Sequence, residues 1–343
     1  MESFDSIFFD PNNQTVLHPK YQSHLRSKLV LCAIDGWLLM FDTTKEHYLP
    51  FFYNPISGAK VMLPSQIQGQ DQDYFLNTAR VEASSAPHDN CHHDSIYIAG
   101  LMNDYCHIIF CKITSESWGV IEADEECNFL DITVIGDLLY VLIDQTELDI
   151  EIYNLNDVDN FDDENAPEAQ KLLVLDPKPE INRMMTRAEH GDYLCFHNYE
   201  AICLGYDVVS EDLIIVVILY HLAYLFDHLV CHDIRGFRVL KLDRTIDDGI
   251  QLVEIQDLGD RLIFMDYRNC KVISTISLQE SFRRNCIYFA TFKNPEFYGS
   301  WKMYSGVFCL SDKSLHFYKP RKLNSYALIK YPAVCTWFMP SLF

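Results

Sequence analysis

The chain has 343 residues, of which 49% are hydrophobic, 13% aromatic and 22% charged, so it can bury a large core and falls outside the disordered class. Its formal net charge of -22 disfavours nucleic acid and anionic membrane as partners for the chain as a whole. That charge is uneven: residues 113–170 hold 17 Asp or Glu and no Lys, Arg or His, whereas residues 261–343 hold 12 Lys or Arg against 4 Asp or Glu.

The opening MESFDSIFFDPNNQ carries acids where an export signal carries Lys or Arg, and no apolar core of signal length follows. Residues 1–16 read as a leader and residues 17–343 as one domain, with a cytoplasmic or nuclear location expected. The 12 cysteines are scattered and lie mostly inside apolar runs, as at Cys32, Cys111 and Cys195, which predicts reduced thiols filling core space. No Pro/Gly/Ser-rich linker divides the chain.

From Leu29 onward the sequence breaks into short runs of Val, Ile, Leu, Tyr and Phe bounded by Gly, Asp or Asn, with almost no 3.6-residue periodicity. LVLCA, WLLMF, LPFFY and KVML form the first group, with the turn pair Asp35-Gly36 before WLLMF. SIYIAG, HIIFCKI and WGVIE form the second. FLDITVI, LLYVLI and LDIEIY form the third, with Gly136-Asp137 as the turn. Residues 154–170, NLNDVDNFDDENAPEAQ, read as a long acidic surface loop. A four-strand repeat follows in Tyr193–Phe196, Ala201–Tyr206, Leu213–Leu219 and Phe237–Leu242. The stretch 221–236 inside it is unusually apolar for a loop, and reads either as a short helix packed on the domain or as an exposed contact patch. The stretch 213–230 is interrupted by His221, Asp227 and His228, so it reads as a buried strand and not as a membrane span of roughly 20 residues. QLVEI, RLIFM, CIYFA, GVFCL and SLHFY close the series, with Gly259-Asp260 before RLIFM.

A Gly/Asp turn feeding an apolar strand, recurring every few tens of residues with several strands per period, predicts an all-β chain: a single closed β-propeller of six or seven four-stranded blades, eight being the alternative. Closure requires the two ends to meet, so a strand from Tyr326–Phe338 is expected to pair with the N-terminal strands.

Several of these segments resemble a known family. HLRSKLVLCAIDGWLLMFD followed by FFYNPISGAKVMLPS, then LGDRLIFMD, RRNCIYFA, SGVFCLSDKSLHFY and the closing WFMPSL are similar, in that order, to the KIB-type propellers of many plant F-box proteins. The resemblance marks Asp35, Gly36, Trp37, Asn54, Pro55, Gly259, Asp260, Asn285, Tyr288 and Trp337 as structural positions. In that family the propeller usually follows an F-box, the short helical domain that docks the Skp adaptor of a cullin-based ubiquitin ligase. About 28 residues precede the first predicted strand here and two of them are proline, so no F-box is expected and membership of a Skp–cullin complex is in doubt.

No sequence motif points to catalysis: GxSxG, HExxH, Walker-type and dinucleotide-binding patterns are absent. Cys91-His92-His93-Asp94 has metal-ligand residue types without a second ligand pair at zinc spacing, and reads as a polar loop. Glu122, Asp124, Glu125 and Glu126, with Asp159, Asp162, Asp163 and Glu164, lack the spacing of a calcium loop. They read as solvated acids that could attract a basic protein. The sequence therefore predicts a monomeric, non-catalytic protein-recognition module without metal or cofactor. The alternatives are a paralog competing with F-box-bearing relatives for shared targets, and an enzyme or small-molecule binder using the propeller channel.

Overall fold

The computed structural model describes residues 8–10, 15–17, 28–42, 50–64, 66–67, 78–87, 95–123, 127–144, 148–158, 202–207, 210–225, 228–243, 251–266, 269–277, 282–293 and 302–318. Among the described residues the regular elements are strands and short 3-10 turns, and no helix there is long and apolar enough to cross a membrane.

A hairpin of β1 (Phe8–Asp10) and β2 (Thr15–Leu17) stands as a two-stranded sheet of its own. The first larger sheet is an antiparallel meander of β3 (Lys28–Ile34), β4 (Trp37–Asp42), β5 (Pro50–Tyr53) and β6 (Lys60–Met62). Asp35 and Gly36 link β3 to β4 with φ of 44° and 81°. A two-residue I′ turn needs positive φ at both positions, which is why an Asp-Gly pair signals it. Between β5 and β6 the Asn54 side-chain oxygen accepts from the Ile56 and Ser57 amides at 2.9 and 3.0 Å, and Pro55 presets the turn backbone.

The second sheet runs β7-β11-β10-β9-β8, built from β7 (Gln66–Ile67), β8 (Thr78–Ala83), β9 (Tyr97–Met102), β10 (His107–Lys112) and β11 (Ser117–Glu122), with β7 parallel to β11. The third is a meander of β12 (Asn128–Ile135), β13 (Leu138–Asp144) and β14 (Leu148–Asn154). Each of the first two has residues of both faces buried, because sheets stack face to face. Leu39, Phe41 and Phe52 of the first sheet join Ile98, Ile109 and Trp118 of the second in one cluster. Phe110 of the second joins Phe129, Leu139 and Val141 of the third in another. The first strands β3, β8 and β12 pack side by side in succession.

The C-terminal half departs from separate blades. β15 (Ile202–Asp207), β16 (Asp212–Leu225), β17 (His228–Asp243) and β18 (Gln251–Ile255) form one antiparallel unit, and β21 (Cys286–Lys293), β22 (Lys302–Cys309) and β23 (Leu315–Phe317) another. A hairpin of β19 (Arg261–Asp266) and β20 (Cys270–Ser274) joins them into a nine-stranded sheet, with β20 parallel to β15 and β19 parallel to β21. Five of the six residues of β19 are buried, as expected of a strand covered on both faces.

The structure changes three sequence expectations. The repeat written from Tyr193 to Leu242 is out of frame by one strand: β15, β16 and β17 take three of its members, the neighbour of β17 is β18, and Tyr193–Phe196 lies outside the described residues. The stretch 221–236 is neither loop nor packed helix. Most of it belongs to the facing strands β16 and β17, paired as far as Leu225 and His228, so each strand meets the other's backbone hydrogen-bonding needs. Residues 154–158 end β14 and form a 3-10 turn, Leu155–Val158, ahead of the expected acidic loop. Strands β1, β2, β7, β8 and β20 were not anticipated. The expected closing strand at Tyr326–Phe338 lies outside the described residues, as do the remainder of the acidic loop and Cys91-His92-His93-Asp94.

Gly205 permits the parallel approach of β15 and β20. A Cβ there would meet Cys270 Sγ at 2.9 Å and the Cys270 carbonyl at 3.0 Å. Gly205→Ala is expected to lower stability by about 1–3 kcal/mol through overpacking. Urea denaturation checks this, and an unmoved midpoint would mean that β20 does not approach β15 so closely.

Candidate functional site

The polar residues of the interior converge where the first strands of the sheets meet. On β8 the sequence Thr-Ala-Arg-Val-Glu-Ala alternates, but a bulge between Thr78 and Arg80 shifts the register, so that Val81 and Ala83 join the cluster with the first sheet, Ala79 joins the cluster with the third, and Arg80 and Glu82 share the face opposite Val81. Both faces are buried, the polar one included: Arg80 is 5% exposed and Glu82 6%. The Arg80 guanidinium spans three strands. Its Nη1 pairs with Asp131 of β12, its Nη2 donates to Glu82 Oε1 at 3.0 Å and to the Leu204 carbonyl of β15 at 2.8 Å, and its Nε donates to Glu82 Oε1 at 3.3 Å. Asp131 in turn accepts from the amides of Leu204 and Ile132. One cation thus ties the second sheet to the third and the fourth.

The β19–β20 hairpin is fixed beside this network. Arg261 pairs with Asp207 of β15, Ser210 Oγ donates to Asp207 at 2.7 Å, and Arg261 Nε donates to the Leu258 carbonyl at 2.9 Å. Lys271 of β20 reaches across to donate to the Ala33 carbonyl of β3 at 2.8 Å. The interior at this point is occupied by a hairpin and a hydrogen-bonded ion network.

Burial governs the protonation of these groups. It pushes the Glu82 carboxyl from its ordinary 4.5 to about 7 and the Asp131 carboxyl from 3.8 to about 6, against the opposing pull of Arg80. Burial alone would lower the guanidinium, but Asp131 and Glu82 reverse that and hold Arg80 firmly charged. The neighbouring thiols stay protonated: burial, then Asp131, raises Cys203 to about 12, and burial, then Cys203, raises Cys270 well above its ordinary value. Arg80 is thus held by partners on three strands and the neighbouring thiols stay protonated, an arrangement that ties the sheets together.

Among the acids singled out in the sequence, Glu122 is described, exposed as the last residue of β11 and paired in register with His107 of β10. Asp104, exposed in the preceding turn, binds His107 Nδ1 through Oδ2 at 2.7 Å, so two acids share that end of the sheet. Asp124, Glu125, Glu126, Asp159, Asp162, Asp163 and Glu164 lie outside the described residues.

The structural positions are placed as follows. Asp35, Gly36, Asn54 and Pro55 form the turns already described, and Trp37 is buried in the cluster between the first two sheets. Gly259 has φ of 66° and Asp260 accepts at its carbonyl from the Thr275 amide at 2.8 Å. Asn285, at φ of 57°, clamps the turn ahead of β19: its side-chain oxygen accepts from the Leu258 amide at 2.9 Å and its amide donates to the Arg261 carbonyl at 2.7 Å. The Tyr288 hydroxyl accepts from the Arg283 amide at 2.9 Å, and its ring packs against Phe264 and Phe282. Trp337 lies outside the described residues. Arg80, Glu82, Asp131 and Lys271 were not anticipated; a lone carboxylate inside FLDITVI was the one available signal.

The family model described as KIB1-4 beta-propeller matches residues 8–319. The chain belongs to this family. The LGDR and NCIY motifs of this KIB1-4 propeller are thereby the turn and strand that position its β19–β20 hairpin. An F-box/kelch-repeat protein of Arabidopsis thaliana is 31% identical over 83 residues, a match covering 24% of this chain and 21% of that protein. The KIB1-4 chain thus aligns with about a fifth of its curated relative. Among solved structures it is similar to an α-L-arabinofuranosidase of Podospora anserina in complex with cellotriose, at a TM-score of 0.29 and 11% identity over 66% of each chain. It is also similar to the polysaccharide lyase Uly1, at a TM-score of 0.32 and 8% identity over 85% of this chain and 81% of that one. Likeness at that level carries no inference about this propeller.

Two outcomes test the central network. Arg80→Met leaves two buried carboxylates without their cation and is expected to cost about 3–5 kcal/mol in denaturant titration. Because the folded values of Glu82 and Asp131 lie above the unfolded ones, their contribution is complete below about pH 4 and is lost as pH rises through about 6 to 7. Each tenfold difference in proton affinity is worth about 1.4 kcal/mol. Glu82→Gln should therefore flatten the fall in stability between pH 5 and pH 8, and an unchanged slope would remove Glu82 as its source.

Proposed function

We propose that this KIB1-4 propeller is a non-catalytic protein-recognition module whose partner docks on the strand-end loops. The observation that carries this reading is the filled junction of the sheets: the buried Arg80 network ties β8, β12 and β15 together, and the β19–β20 hairpin lies against β15 and β21. Recognition then falls to the sheet ends, where loops can vary without disturbing the core. The likeness of part of the chain to an F-box/kelch-repeat protein supports the same reading. The finer architecture in this proposal is a closed propeller of six or seven blades, for which the Lys271 contact with β3 is the supporting link between the late and early strands.

The acidic region supplies the partner's chemistry. Glu122 and Asp104 are exposed at one end of the second sheet, and residues 113–170 carry 17 acids with no basic residue, so a basic protein surface is the complement. A protein held in this way is captured faster at low ionic strength, because long-range attraction raises the association rate more than it slows release.

The test is affinity purification of the tagged chain from plant cells at low and high salt, followed by association kinetics with each purified partner. A basic protein retained at low salt is the expected finding. Reversing charge at Glu122, Asp159, Asp162, Asp163 and Glu164 should slow association about tenfold or more, within the range that steering supplies. An unchanged association rate would take the acidic region out of the interface. Recovery of Skp and cullin would place the module within a ubiquitin ligase; their absence would favour a free-standing binder.

A further inference from the structure

The late blade holds a pair of cysteines that the recognition reading does not use. Cys286 opens β21 and Cys309 ends β22, and the two lie directly opposite in the antiparallel register. Their Sγ atoms are 2.8 Å apart, against about 2.05 Å in a disulfide. The backbone pattern favours bonding between them. The Leu310 amide donates to the Asn285 carbonyl at 3.0 Å, and the Cys309 amide points the other way, to the Ser314 carbonyl at 2.9 Å. Hydrogen-bonded and non-hydrogen-bonded pairs alternate along an antiparallel ladder, so Cys286 and Cys309 occupy a non-hydrogen-bonded pair. Opposed residues there have Cα atoms about 4.5 Å apart, within the roughly 4.4–6.8 Å that a disulfide spans.

We propose that Cys286 and Cys309 form a redox-active pair that closes into a cross-strand disulfide by exchange with a low-molecular-weight disulfide of the glutathione type. One cysteine thiolate attacks glutathione disulfide, forming a mixed disulfide and expelling one glutathione thiolate. The second cysteine thiolate then attacks the protein sulfur of that mixed disulfide and expels the other. Two S–H bonds are lost from the protein, one S–S bond forms, and the two protons end on two molecules of glutathione, which take up the two electrons.

Both thiols are buried, Cys286 at 2% exposure and Cys309 at 8%, among Leu262, Phe264, Tyr288 and Val307. Burial, then the contact with Cys309, pushes Cys286 up to about 12. Exchange is therefore slow and proceeds through local opening. The route lies at the edge: Cys309 precedes an exposed turn at residues 311–313, and its amide is covered by the segment leading into the three-residue edge strand β23. Closure ties β22 to the start of β21, next to the Asn285 clamp that holds the β19 turn. The pair thus connects the redox state of the surroundings to the rigidity of the central hairpin.

The test uses the full chain, equilibrated over hours at mildly alkaline pH in glutathione buffers ranging from reduced to predominantly disulfide, then acid-quenched, alkylated, digested and mapped by mass spectrometry. The expected result is a peptide joining Cys286 to Cys309 that has lost two hydrogens, grows with the disulfide fraction, is reversed by dithiothreitol and is missing from Cys309→Ser. The oxidised chain should also melt at a higher temperature than the reduced one. Full alkylation of both cysteines across the series would overturn the proposal, as would their recovery only as glutathione adducts or bridged to other cysteines. Should Cys309→Ser fail to fold, the map of the unaltered chain decides alone.

Discussion

The Arg80 guanidinium is a charge held in the interior, and the assembly of three sheets depends on how it is neutralised. A buried cation is tolerable only when its donors are matched by acceptors in good geometry, since its desolvation costs several kcal/mol. Here the acceptors come from the neighbouring side chain on β8, from β12 and from the backbone of β15. No two of these sheets can separate without exposing or orphaning part of the set. Apolar stacking between sheets supplies bulk stability without direction, whereas the ion network specifies which first strands meet and at what height.

The β19–β20 hairpin depends on the same centre. It contacts β15 through the Asp207–Arg261 pair and the parallel ladder, β21 through a second ladder, and β3 through Lys271. Parallel pairings of this kind need a crossover between the paired strands; β20 lies in sequence between β19 and β21, and β16 to β19 lie between β15 and β20. Two of the family motifs recognised in the sequence meet at this point. LGDR is the turn that enters the hairpin, and NCIY is the clamp and the strand against which it lies.

These features give the recognition reading its physical basis. A buried ion cluster whose donors are met from three strands holds the sheets together, and the proposed recognition surface is the strand ends. The acidic end of the second sheet, with Glu122 and Asp104 exposed, is part of that proposed surface. The thiol pair on β21 and β22 belongs to the rigid part, which is why a change in its redox state would bear on the hairpin and not directly on the loops.

The sequence by itself determined the all-β class, the strands of the first and third groups, the presence of a turn at Asp35-Gly36 and the family, because short-range turn chemistry and two-residue alternation are local properties. It passed over or left open strands whose pattern runs against local rules. Thr78–Ala83 alternates polar and small residues and so resembles a solvent-exposed strand or a loop, yet its polar face turns inward. Residues 221–236 carry an apolar run that periodicity could not assign, since the partner strand and not the run itself decides between helix and sheet. Only the tertiary structure decided that β19 and β20 lie between two blade units and that Arg80, Glu82 and Asp131 form one cluster. Residues 51 and 124 positions apart are brought to one guanidinium by the stacking of sheets, a long-range geometry that no local pattern encodes.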